Sequence, residues 1–407
     1  MSPEKYAVFN VRGGKAYVRK DRVKQLRSVD AVVFDCDGVL IDIRDSYNKA
    51  ISKAVAYILK GLTGYAFPGS LASDEIIFLF RKSGGFNNDW DTVYGMLMFA
   101  LSNLPGETRE GLKKRMKMYG RQPNAFERFS SIREAARKEP VPEVLTNEFF
   151  DGLTVRLREF TELLDASGMD SVDKNLVEAP GVSGDFLDFY NSLRRSLHCP
   201  EEVGQSIIAT VFEELFCGAE LFHETYGAEP RFNTGPGMIE NERLIVRPET
   251  LDRLTSVLGK ANLGIASGSR FRSAEYVLGD LLERFSPTAL VFLEIIEENE
   301  SLQTSVEGLK VNLKKPHPFS LLKAAETFGD FNFALYVGDS MEDAIMVREA
   351  NDLGKRFLFA GVYQYSGLED VVLQGFLESG CDLIVPSVNE LPVTLEKIRR
   401  GKRVESR

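Results

Sequence analysis

Apolar residues in this chain follow two different periods, and the change between them divides the sequence. Near the start, Tyr6–Val11 and Lys15–Lys20 alternate apolar with polar around the turn Arg12-Gly13-Gly14, which predicts a small hairpin over 6–20. A compact apolar run ending at 31–35 predicts the first strand of a larger sheet. From about 43 to 240 the pattern becomes helical, with apolar residues three and four apart at 46–60, 92–103, 147–165, 184–197 and 204–225. Gly84-Gly85 and Gly235-Pro236-Gly237 interrupt it with loops. From about 248, helical stretches (248–259, 271–284, 318–328, 343–352) alternate with apolar runs at 263–267, 289–293, 333–337, 357–362 and 382–385. Such alternation predicts βαβ units and a parallel sheet. The expected fold class is α/β: a doubly wound, Rossmann-like parallel sheet carrying a large, mostly α-helical insertion.

Composition narrows the function classes. A chain of 407 residues, 43% hydrophobic, can bury a large core and predicts two domains. No apolar run reaches the length of a membrane span, and the N-terminus lacks the layout of a secretory signal. Cys36, Cys199, Cys217 and Cys381 lie far apart, without metal-type spacing, and read as reduced thiols of a cytoplasmic protein. A net charge of −10 argues against a nucleic-acid partner, and clusters such as Lys113-Lys114-Arg115 read as solvated helix faces. With 3 histidines in the chain, carboxylates must carry any chemistry.

The most informative segment is Phe34-Asp35-Cys36-Asp37-Gly38-Val39-Leu40, directly after the first strand. Residues two apart point to the same side of a strand, so Asp35 and Asp37 can converge at the carboxyl edge of the sheet, where open α/β sheets bind ligands. Two acids this close repel unless a cation separates them, which predicts a metal site for Mg²⁺ with one carboxylate available as nucleophile. An Asp-Gly turn in solvent would contain the same residues. Three further polar signals stand at or beyond predicted strand ends: Ser267 in Ala266-Ser267-Gly268-Ser269-Arg270, Lys315 in Lys314-Lys315-Pro316-His317-Pro318, and Asp339 with Asp343 in Gly338-Asp339-Ser340-Met341-Glu342-Asp343. Each alone reads equally as a turn, a helix cap or a surface residue.

As an ordered set, these four motifs resemble the haloacid dehalogenase superfamily of aspartate-nucleophile phosphohydrolases. The resemblance covers about 28–45 and 244–395 and implies a core of 28–43 and 244–395. It also implies a C1-type helical cap inserted at 44–243, with an N-terminal hairpin extension at 1–27 and a charged tail at 396–407. Asp35 would be the nucleophile, and Asp37 the acid that protonates the leaving oxygen and then activates water. Ser267 and neighbouring backbone such as Gly268 would hold phosphoryl oxygens, while Lys315 neutralises charge. Mg²⁺ would be coordinated by Asp35, Asp339 and the Asp37 carbonyl, with Asp343 on the metal's water or on Lys315. Family members that break carbon–halogen bonds lack an aspartate at the position of Asp37, so its presence favours phosphate monoesters.

The start of the insertion and the loop 82–91 resemble an uncharacterised archaeal and cyanobacterial branch of these hydrolases. That loop, with Arg81, Asn87 and Trp90, is the candidate for substrate recognition, together with Arg44; its glycines and Trp90 read equally as a helix-ending turn and a packing residue. The expected activity is a Mg²⁺-dependent phosphatase acting on a small phosphorylated metabolite, with no nucleic-acid or membrane partner; a homodimer is left open. A phosphomutase of the β-phosphoglucomutase type would share the aspartyl-phosphate, and a silent binding or regulatory protein on the same scaffold is the reading from another class.

Overall fold

The computed structural model describes residues 5–401 except 87, 121, 123, 139–144, 180 and 310. It divides into two compact units: 1–44 with 241–407, and Asp45–Glu240. Among the described residues, no helix is long and apolar enough to cross a membrane.

The first unit is built on strands β1 (Tyr6–Val11), β2 (Gly14–Arg19), β3 (Val29–Phe34), β4 (Ile41–Asp42), β5 (Arg243–Leu244), β6 (Leu263–Ala266), β7 (Leu290–Val291), β8 (Phe333–Gly338), β9 (Phe357–Val362) and β10 (Leu383–Val385). Eight form one sheet in the order β1-β2-β10-β9-β8-β3-β6-β7, while β4 and β5 pair antiparallel on their own. From β10 to β7 every pairing is parallel; the β1–β2 hairpin adds an antiparallel edge through Leu383 opposite Val18 and Ile384 opposite Tyr17.

The reason β3 lies at the centre is its composition. Every residue of Val29–Phe34 is buried, as expected of a strand covered on both faces. Its alternate side chains feed two apolar layers. Val32 and Phe34 join Leu263, Ile265, Leu335 and Val337 beneath the helices Pro248–Leu258 and Leu391–Arg399. Ala31 and Val33 join Ala334 and Tyr336 beneath the helices Phe319–Glu326 and Met341–Asp352. The result is a sheet with helices on both faces, mainly parallel and Rossmann-like.

Chain order places the site. After β3 the chain builds outward through β6 and β7 on one side, then through β8, β9 and β10 on the other. The order therefore reverses between β3 and β8, and the carboxyl ends flanking such a switch point form the crevice in which open α/β sheets bind ligands.

Two local expectations change. The strand expected at 289–293 shortens to Leu290–Val291, because Phe292 caps the helix Leu293–Glu307 that the acidic run after it initiates. The segment expected as a charged tail from 396 is helical as far as Arg399, whose guanidinium donates to the carbonyls of Val257 and Val29. Residues 402–407 of that tail lie outside the described residues.

The second unit is helical. The helix Asp89–Ser102 is buried along its whole length from Thr92 onward and so occupies the middle of its own core. Around it stand helices including Tyr47–Thr63, Gly184–His198 and Ile207–Tyr226, each with one apolar face. Ile207–Tyr226 breaks at Gly218, where φ is 77°, and Glu214 just before the break is fully buried. Its carboxylate accepts the backbone N–H groups of Arg231, Phe232 and Asn233 at 2.9, 2.5 and 2.9 Å, which satisfies a charge that burial alone would penalise.

Candidate active site

Three adjacent parallel strands end in the predicted polar residues. Phe34 of β3 pairs with Val337 of β8 and Ile265 of β6, so the next positions along these strands bring Asp35, Asp339 and Ser267 to one edge. The Asp35 amide continues the ladder by donating to Val337 O at 2.8 Å. Beyond Asp35 the chain folds onto itself. The Cys36 carbonyl accepts from Leu40 N and Ile41 N at 2.7 and 3.0 Å, and Gly38 N donates to Ile41 O at 2.8 Å.

Asp35 is buried, and its two oxygens have different partners. Oδ1 accepts the Cys36 N–H at 2.8 Å, and Oδ2 lies 2.8 Å from Lys315 Nζ. The same ammonium donates to Asp343 Oδ1 at 2.8 Å, so one cation bridges two carboxylates from separate parts of the chain. Asp343 is fully buried and takes further donors: Tyr336 Oη at 3.2 Å on Oδ1, and Ser340 N and Oγ at 3.1 and 2.7 Å on Oδ2. The Ser340 contacts form a capping box that starts the helix Met341–Asp352 and fixes the Asp343 rotamer. With Lys315 on one oxygen and both Ser340 donors on the other, Asp343 is arranged as an acceptor that orients Lys315.

Carboxylate oxygens of Asp35, Asp339 and Asp343 all lie within 4.8 Å of one another. Burial raises the Asp35 carboxyl above its usual range; Lys315 opposes that shift and Asp343 adds to it. Asp339 is pushed well above its usual range by burial and then by the charges of Asp343 and Asp35. Burial works against the Lys315 charge, yet Asp343 and Asp35 hold its ammonium well above the usual lysine range. Three hard-oxygen donors sharing a single lysine are under-neutralised, and a divalent cation beside Asp35 and Asp339 would relieve their repulsion. The donor set therefore fits Mg²⁺. Cys36, between the two acids, has its thiol pushed well up by burial and by Asp37 and Asp35, which leaves it unreactive.

On the other side of β3, Asp37 Oδ2 accepts a 2.7 Å hydrogen bond from Ser269 Oγ. Ser269 Oγ lies 2.9 Å from Ser267 Oγ, and the Ser269 N–H donates to Ser267 Oγ at 3.2 Å. Around Gly268 there is open space: a Cβ there would meet nothing within 4 Å. Ser269 and Tyr336 are members of this cluster to which the motifs assign no role. Ser269 repeats the i, i+2 spacing of Asp35 and Asp37, a signal present in the sequence. Tyr336 sits inside the apolar run of β8 and reads as core, and nothing local marks the hydroxyl that also reaches Ala266 O at 3.0 Å.

The remaining candidates have partners within their own units. In the first unit, Arg44 pairs with Asp42 at 2.7 Å and stands 5.0 Å from the centre of the Tyr365 ring. In the second, Arg81 donates to Asn48 Oδ1 at 3.0 Å and Asp89 Oδ1 at 2.8 Å. There too the Trp90 indole donates to Glu213 Oε1 at 2.8 Å. Asn87 lies outside the described residues.

No family model matches the sequence, and no curated protein does. Among solved structures, the fold is similar to an X-ray structure from the Northeast Structural Genomics Consortium, target ZR25. The TM-score is 0.65 at 15% identity, with 91% of this chain and 100% of that chain covered. A second similar structure is phosphatase Tt82 from Thermococcus thioreducens, with a TM-score of 0.49 at 20% identity over 91% of this chain and 99% of that one.

Proposed function

We propose that the first unit is a Mg²⁺-dependent phosphatase of the haloacid dehalogenase type, which hydrolyses the phosphate monoester of a small metabolite through an aspartyl-phosphate. The observation that carries this reading is Lys315 Nζ at 2.8 Å from both Asp35 and Asp343, at the switch point where Asp339 and Ser267 also end their strands. A structural ion pair needs one acid per lysine; this edge gathers three acids around one cation, an excess that suits a site built for a metal and a phosphoryl group.

In this mechanism Asp35 attacks phosphorus while Asp37 gives its proton to the leaving oxygen, so the bond from phosphorus to Asp35 forms as the ester bond breaks. Asp37 then takes a proton from water, which attacks the aspartyl-phosphate and releases inorganic phosphate. Lys315 stays beside the Asp35 oxygen through both steps and offsets charge on the transferring group, with its own position set by Asp343. Ser267 and the Gly268 backbone hold phosphoryl oxygens. Mg²⁺, held by Asp35, Asp339 and the Asp37 carbonyl, would supply charge neutralisation to the phosphoryl oxygens. Selectivity among monoesters falls to residues outside this set, with Arg44 as the candidate in the same unit.

Phosphate release from p-nitrophenyl phosphate and a panel of phosphorylated metabolites tests the reading. Turnover is expected with Mg²⁺ and is lost with EDTA or in Asp35→Asn. Undiminished turnover in Asp35→Asn rules the mechanism out.

A further inference from the structure

We infer that Ser269 is a positioning residue for Asp37, linking the acid that serves the leaving group to the Ser267-Gly268 segment that holds the phosphoryl group. The inference rests on the phosphatase reading above and assigns a role that reading does not contain.

Counting protons fixes the direction of the hydrogen bonds. A serine hydroxyl carries one proton. Ser269 Oγ donates its proton to Asp37 Oδ2 at 2.7 Å, so in the 2.9 Å contact between the two hydroxyls Ser267 must be the donor. Ser267 Oγ in turn accepts the Ser269 N–H at 3.2 Å. The chain runs Ser267 to Ser269 to Asp37, and its members are largely withdrawn from water, Ser267 being 1% and Ser269 9% exposed.

The backbone holds this chain in place. Ser267 N donates to Val291 O at 3.0 Å, and Leu293 N donates to Ser269 O at 3.0 Å, which ties both serines to β7 and to the start of the helix Leu293–Glu307. Asp37, in contrast, belongs to a loop beyond β3. Anchoring its Oδ2 removes rotations of the carboxyl that would carry it away from the ester. With the Ser267 proton given to Ser269, it is the Gly268 backbone between the two serines that faces the same phosphoryl group, and the pair on either side of it places the acid relative to the phosphorus whose leaving oxygen it must protonate. Proton transfer between positioned groups contributes about 10²–10⁴-fold, so a misaimed acid loses part of that factor.

A role in aiming the acid differs from a structural role in its dependence on the leaving group. An alkyl phosphate leaves as an alkoxide and needs the proton, whereas p-nitrophenolate leaves readily without it. The experiment compares kcat/KM, which reports the phosphorylation step, for p-nitrophenyl phosphate and an alkyl phosphate in wild type, Ser269→Ala and Ser269→Thr. In Ser269→Ala both values fall, and the alkyl phosphate is expected to lose about 10-fold more than the aryl ester. Ser269→Thr, which keeps the hydroxyl, restores the ratio. The rise in melting temperature on adding Mg²⁺ persists in all three proteins, which separates aiming from damage to the metal site. Equal losses for the two esters in an active enzyme overturn this inference alone. A wild type inert toward both overturns the phosphatase reading and this inference with it.

Discussion

The carboxylate of Asp339 occupies the space that a side chain on residue 38 would need. Gly38 has a φ of 72°, and a Cβ built on it runs into the Asp339 carboxyl group and lies 3.3 Å from Asp339 Cβ. Glycine is thus required here twice, once for the left-handed backbone of the loop after β3 and once for the approach of the acid from β8.

Gly38→Ala should therefore carry two separable penalties. The left-handed conformation costs about 1–2 kcal/mol for a residue with a Cβ, and displacement of Asp339 adds to it. Removing the carboxylate abolishes the second penalty and leaves the first. In urea unfolding with EDTA present, the double substitution Gly38→Ala with Asp339→Ala should cost less than the sum of the single ones. Strict additivity would show that the two residues do not compete for space.

Asp339→Asn is expected to stabilise the metal-free protein. Its carboxyl is pushed up by burial and by the charges of Asp343 and Asp35, so in the folded state the ionised form is disfavoured. A carboxyl with a raised folded pKa imposes no penalty below the ordinary pKa of about 4, and its full penalty appears only once the pH exceeds the folded value. At neutral pH, relief of about 1 kcal/mol would raise the melting temperature by roughly 2–4 °C for a unit of this size. The same substitution should remove most of the further rise that Mg²⁺ produces in wild type. A lower metal-free melting temperature, or an undiminished response to Mg²⁺, contradicts the assignment.

The parts of this arrangement legible in the sequence are those that repeat a local rule. Buried parallel strands are continuous apolar runs, and β3, β6, β8 and β9 show themselves as such; the polar residues that end β3, β6 and β8 then mark the sheet edge. Contacts between distant segments leave no such trace. The antiparallel addition of β2 to β10 joins Tyr17 to Ile384 through geometry that neither segment encodes alone. Helices Gly106–Tyr119 and Ala125–Lys138 carry little periodic signal because polar residues outnumber the few, such as Leu112, Met116, Phe129 and Ile132, that they bury. Tyr336, a tyrosine in an apolar strand, reads as core, and only the fold brings its hydroxyl to Asp343.

In the helical unit, His198 makes stability depend on pH. Its ring is 2% exposed, and Nδ1 lies 2.8 Å from Ser206 Oγ. That hydroxyl also accepts the Ala209 N–H at 3.0 Å and so caps the helix Ile207–Tyr226. Burial first, and then the Arg194 cation, lower the His198 pKa from 6.5 to about 4. A histidine with a depressed folded pKa is neutral in the folded protein at a pH where the unfolded chain already binds a proton. Its contribution is complete above the unfolded value near 6.5 and is lost as the pH falls toward 4. The full difference is worth roughly 3 kcal/mol. His198→Asn keeps a polar atom near Ser206 but cannot take up the charge, so its stability should fall less between pH 7 and 4.5 than that of wild type. Trp90, the chain's 1 tryptophan, lies in this unit, and its fluorescence follows the unfolding directly. Parallel acid limbs for the two proteins would assign the pH dependence of this unit to other groups.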